Sequence, residues 1–131
     1  IHGITATDVK NMPTFPSIWA ELKGYLNNNI VLAHNASFDM SVLKSILNTY
    51  NLEKPNFKYY CTVSLAKKVW PELENHKLNT LASYFNINFK HHNALHDSKV
   101  CAMVAVLATR KLNSKNFAQL ITKLNLKDNK F

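Results

Sequence analysis

Ile30-Val31-Leu32-Ala33-His34-Asn35-Ala36-Ser37-Phe38-Asp39 changes its structural period partway along. Ile30–Ala33 is a continuous apolar run between the polar Asn27-Asn28-Asn29 and His34-Asn35. A short run of this kind reads as a buried strand of the parallel type. From Phe38 the spacing turns helical and continues through Leu43, Ile46, Leu47 and Tyr50, which places Asp39 in the first helical turn. A buried strand leading straight into an amphipathic helix is the repeating unit of α/β architecture.

The flanking sequence extends this alternation. Upstream, Pro13 and Pro16 are expected to bracket a turn, with Ser17 capping a helix that carries Ile18, Trp19, Leu22, Tyr25 and Leu26 on one side. Downstream, Phe57 to Thr62 reads as a second strand, followed by a helix with Leu65, Ala66, Val69 and Trp70 that Pro71 ends. Leu78, Leu81, Ala82 and Phe85 suggest a short helix. Leu95 to Lys111 suggests a longer one with Val100, Val104, Leu107 and Ala108 inward. Ser114 can cap a last helix through Phe117, Leu120, Ile121 and Leu124. Two strands are too few for six helices, because a two-stranded pair is marginal and the helices need a broader sheet to cover. The expectation is the later part of an α/β domain whose first strands are absent. Its sheet then has an uncovered apolar edge and face, to be covered by a second copy or another chain.

Length and composition narrow the function classes. The 131 residues, 47% of them apolar, suit one globular domain. The longest apolar stretches, such as Ala102–Ala108, fall far short of the roughly 20 residues of a membrane span. Ile1-His2-Gly3-Ile4-Thr5 has no signal-peptide pattern and no starting Met, so the expectation is a cytoplasmic protein whose chain begins partway through a longer product. With Gly3 and Gly24 the only glycines, a P-loop or a dinucleotide-binding turn is excluded. Cys61 and Cys101, with no CxxC pair, are expected to be reduced, buried thiols. A formal charge of +8 favours polyanionic partners, nucleic acid first. Scattered lysines and abundant asparagine would equally follow from a biased genome.

Of the eight acidic residues, Glu21, Glu53, Glu72 and Glu74 stand in polar, solvated stretches. Asp39 lies just past a strand's C-terminal end, where open α/β sheets bind ligands. It can also simply favour the helix N-terminus through the macrodipole. Asp97 stands in His91-His92-Asn93-Ala94-Leu95-His96-Asp97-Ser98, in the first turn of the expected long helix. His92, on the approach loop, can face the same cleft, where a neutral imidazole could take a proton from water while the carboxylate holds a cation. The alternatives are a histidine-rich surface loop, or zinc held by His92 and His96, which lacks a nearby third ligand.

Taken together, His34-Asn35-Ala36-Ser37-Phe38-Asp39 and His92-Asn93-Ala94-Leu95-His96-Asp97 resemble two of the three motifs of the DEDDh exonucleases, the family of the proofreading epsilon subunit of bacterial DNA polymerase III. Ile1–Thr5, Pro13-Thr14-Phe15, Cys61-Thr62, Leu65-Ala66-Lys67, Trp70–Leu73 and His76-Lys77-Leu78 add to the likeness, which covers about residues 1–108 in order. The resemblance implies a ribonuclease H-like α/β fold. Residues 1–112 would be the C-terminal part of the exonuclease domain, and 113–131 a helical extension of it. It also implies 3′→5′ release of nucleoside monophosphates, with two Mg²⁺ or Mn²⁺ ions held by four carboxylates. Asp39 matches the third carboxylate, Asp97 the fourth, and His92 the general base. His2 matches a contact to the terminal nucleotide, and Asn35 and Phe38 match positions on the floor beside it. The implied partners are a DNA single strand or 3′ end, an RNA end as the variant within the family, and a polymerase subunit.

The residue types suit that chemistry. A phosphodiester is already anionic, so attack by hydroxide needs charge neutralisation, and hard cations take oxygen ligands. The family's first motif, an Asp-x-Glu on an opening strand, is not found in these residues, and Glu72-Leu73-Glu74 is the wrong motif. The expectation is that the chain holds half of the metal ligands and is inactive by itself. A non-catalytic nucleic-acid-binding module is the alternative.

Overall fold

The computed structural model describes residues 3–88 and 93–131. Ile30–Ala33 forms β1 and Lys58–Cys61 forms β2, paired in parallel with Ile30 opposite Lys58 and Ala33 opposite Cys61. The helix α3, Ala36–Thr49, makes the crossover between them. Residues 62–124 add α4 (Thr62–Val69), α5 (Leu78–Tyr84), α6 (Ala94–Lys111) and α7 (Phe117–Leu124). Leu65, Ala66, Val69 and Trp70 from α4 and its end pack with Leu81 of α5, Val104, Ala105 and Ala108 of α6, and Leu120 of α7. Through Leu120 the last helix thus belongs to the same core as the rest. Among the described residues no helix is long and apolar enough to cross a membrane.

Four elements depart from the sequence expectations. The helix α2 spans Phe15–Leu26 and is capped at Thr14, so Pro16 lies inside its first turn rather than bracketing a turn, and Ser17 is not its cap. Proline is tolerated there because the first-turn N–H groups have no helical partner anyway. Asn116, not Ser114, caps α7, its side chain accepting from the Gln119 N–H at 2.9 Å. A short helix α1, Ala6–Val9, was not expected. Thr5 and Asp8 close it with a capping box, each side chain bonded to the other's backbone N–H.

The fourth departure concerns the sheet. It has a third strand, β3 (Asn129–Lys130), antiparallel to β2 with Lys58 opposite Lys130. Phe131 stacks on Phe57 just beyond it, and Asp128 accepts hydrogen bonds from Lys58 and Tyr60. The strand order β1-β2-β3 leaves β1 with one neighbour among the described residues. The sheet edge expected to be uncovered is therefore that of β1.

Candidate active site

The turn between β1 and α3 is two residues long, His34 and Asn35. So short a reversal requires one residue in the left-handed region, and Asn35 takes it with φ +67°. Asparagine tolerates this conformation better than other non-glycine residues. Every described non-glycine residue with positive φ is an asparagine: Asn28, Asn35, Asn51, Asn86, Asn113 and Asn125. In a chain with two glycines, asparagine does the turning.

The tight turn brings Asp39, in the first turn of α3, to the C-terminal end of the sheet. Asp97 enters from the first turn of α6, which Asn93 caps by accepting from the His96 N–H at 3.1 Å. Both carboxylates line one cavity of about 1000 Å³, together with His34, Asn35, Cys101 and a wall from Glu74 to Asn79. Two helix N-termini thus point their positive ends at the cavity that holds the two carboxylates. Burial pushes the Asp39 carboxyl above its ordinary range.

His34 bonds through Nδ1 to the buried Thr62 hydroxyl at 2.9 Å. Burial holds its imidazolium form down, and the His76 backbone and the Asp97 charge oppose this only in part. Thr62 also meets Cys101 Sγ at 3.4 Å, and burial raises the Cys101 thiol. Both cysteines are free, as expected, but Cys61 is half-buried rather than buried. Burial would push its thiol up; the N–H groups of Ser64, Ala36, Val63 and Asn35 outweigh that and hold it below the usual range.

Of the residues singled out from sequence, Asp39, Asp97 and Asn35 line the cavity. Phe38 is 65% exposed and outside the cavity lining. Adjacent helix positions are about 100° apart, so Phe38 and Asp39 cannot face the same way. His2 and His92 lie outside the described residues, and with them the pairing of His92 with Asp97 and the zinc alternative. Glu74, expected to be solvated, is exposed and also lines the cavity. His34, Thr62, Asn75 and His76 were not assigned a role from sequence, although His34 and His76 stand inside the quoted motifs. Among the described residues no group of three His, Cys, Asp or Glu side chains is placed to hold a metal ion. Two carboxylates in one cavity suit a hard cation in kind and supply part of its ligand set.

The comparisons with known proteins agree on one family. The RNase T exonuclease family model matches residues 1–105. DNA polymerase III of the PolC type from Oceanobacillus iheyensis is 32% identical over 119 residues, 90% of this chain but 8% of that protein. The Listeria welshimeri PolC-type polymerase is 36% identical over 106 residues, 80% of this chain and 7% of that protein. The DNA polymerase III epsilon subunit of Buchnera aphidicola is 34% identical over 116 residues, 83% of this chain and 47% of the subunit. The chain therefore spans under a tenth of the PolC-type relatives and about half of the epsilon subunit. Exonuclease X, solved with a 5′ overhanging duplex DNA, superposes with a TM-score of 0.69 at 24% identity, over 95% of this chain and 70% of that one. The shared fold is the ribonuclease H-like one, and by the extent of the family match the chain belongs to the exonuclease family.

Proposed function

We propose that this chain carries the greater part of the active site of a metal-dependent 3′→5′ exonuclease that releases nucleoside monophosphates from a DNA end. The observation that carries the reading is the meeting of Asp39 and Asp97, distant in sequence, in one cavity at the C-terminal end of β1. The family match and the DNA-handling relatives support it. Asp39 and Asp97 would hold Mg²⁺ or Mn²⁺ through carboxylate oxygens. When bound, such a cation supplies charge neutralisation at the phosphodiester.

The other steps belong to the chain's own residues. His92 takes the proton from the attacking water, its free pKa of about 6.5 being close to working pH. His34 stays neutral and braces the end of β1 against Thr62, keeping positive charge off the cation site. His2 contacts the terminal nucleotide, and Asn35 and Phe38 form the floor beside it. A second reading, a nucleic-acid-binding module without the chemistry, rests on the formal charge of +8.

The test uses the whole protein with a 5′-labelled single strand and Mn²⁺. Stepwise shortening with mononucleotide release is expected. Asp97→Asn should lower the rate about 10³-fold or more, some 4 kcal/mol of transition-state stabilisation. His92→Ala should slow it by about 10²–10⁴-fold. Binding of the strand with no mononucleotide release by the native protein would establish the module reading instead.

A further inference from the structure

Six of the sixteen lysines and arginines have a partner among the described residues. Lys23 pairs with Glu53, Lys58 with Asp128 and Lys111 with Glu72. Lys68 donates to the Leu124 and Asn125 carbonyls and so ties α4 to the end of α7, Lys123 donates to the Leu112 carbonyl, and Lys44 lies over the Phe131 ring. Lys67 and Lys77 differ from the rest by their place. Both are exposed and both line the Asp39–Asp97 cavity, Lys67 from the last turn of α4 and Lys77 from the N-cap of α5. Glu74, Asp39 and Asp97 share that cavity, yet neither ammonium group has an ion-pair partner among the described residues.

The contrast between neighbours is informative. Lys68 is spent on a structural tie, while Lys67, one position earlier on the helix, is turned to the cavity and left uncommitted. We propose that Lys67 and Lys77 form a phosphate-gripping rim that holds the backbone of a single-stranded polynucleotide across the mouth of the cavity. This rests on the exonuclease reading of the same cavity. The carboxylates serve the phosphate being cut through a cation, and repel any phosphate that arrives without one. The flanking phosphates need fixed positive charge, which two free ammonium groups provide. Lysine is a compact point charge on a flexible stem, so the grip is independent of base sequence and lets the strand advance after each removal.

The experiment measures binding of a fluorescein-labelled oligothymidylate to the full chain in EDTA, by anisotropy over a series of KCl concentrations. Each phosphate neutralised on a single strand contributes about 0.7 to the slope of log K against log salt. Lys67→Gln and Lys77→Gln should each reduce the slope by about 0.7, and the double variant by about 1.4. Lys54→Gln and Lys115→Gln remove the same charge from exposed lysines outside the cavity lining and should leave the slope within about 0.2 of native. Equal slopes in all the variants, or no binding by the native chain, would overturn the rim. If the rim variants alone lose slope while the native whole protein releases no mononucleotide with Mn²⁺, the rim stands and the exonuclease reading fails.

Discussion

Two sides of the fold are built very differently. On one side α4, α6 and α7 bury Leu65, Ala66, Val104, Ala108 and Leu120 almost completely. On the other, α1, α2 and β1 expose Ile4, Val9, Met12, Ile18, Tyr25 and Ile30, and Trp19 is the one residue of α2 that is buried. Trp19 is tied down by its ring N–H, which donates to the Glu53 carbonyl at 3.1 Å. Asp97 stands on α6, in the packed region, while Asp39 follows β1, an edge strand among the described residues. The two carboxylates that meet in the cavity are thus carried by parts of the fold with unequal support. What holds Asp39 in place is the turn and α3, more than the outer face of β1.

The largest expected effect tests that inequality directly. Leu120 is 0% exposed, so Leu120→Ala removes a packed side chain and leaves a void, which should cost about 2–5 kcal/mol. Tyr25 is 70% exposed, and Tyr25→Ala should stay within about 0.5 kcal/mol. Urea unfolding of both variants measures the difference. Similar losses would mean that the outer face of α2 is packed against something that stabilises it in solution, and the contrast between the two regions would fall.

Legibility from sequence follows the same divide. The elements with strong apolar periodicity and clear stops, α3 to α6 and both parallel strands, were readable to within two or three residues. The strand β3 was not, because Asn129-Lys130 has no alternation and its supports are distant in sequence: Phe131 stacks on Phe57, Asp128 meets Lys58 and Tyr60, and Asn129 donates to the Tyr59 carbonyl. The helix α1 was readable in principle, since Thr5-x-x-Asp8 is a capping pattern with no apolar face to draw notice. At the site, Asp39 and Asp97 were visible because motif and element boundary coincided. Glu74 and Lys77 were not, because their place in the cavity depends on how the segment after Trp70 folds back, which no local pattern encodes. The asparagine bias has a structural use that composition could not reveal: it serves every left-handed non-glycine position described.

A smaller effect is expected at the turn that supports Asp39. Asn35→Ala places a residue with no compensating polar group at φ +67° and should cost about 1–2 kcal/mol. Asn35→Gly meets no such penalty in the folded state and should lie within about 0.5 kcal/mol of native. If the alanine variant unfolds at the native midpoint in urea, the turn is not strained and the support of Asp39 must come from the face of β1 instead.

The smallest effect concerns the tie that the exposed region lacks. Tyr60 donates to Asp128, and burial first, then that hydrogen bond and the Asp128 charge, pushes its pKa from 10.0 to about 12. A folded-state pKa above the unfolded one means that the folded protein holds this proton more tightly. The contribution to stability is therefore full below the unfolded pKa of 10.0 and is lost as pH rises towards about 12. Tyr60→Phe should cost about 1 kcal/mol near neutral pH, because Lys58 still pairs with Asp128. The gap between native and variant should then close across that alkaline window, since ionised Tyr60 would face the Asp128 carboxylate with like charge. No gap at any pH up to the end of the window would mean that Tyr60 contributes only packing. The C-terminal strand would then be held by the Phe57–Phe131 stack, and the better-anchored flank would owe its order to the same apolar contacts that the other flank lacks.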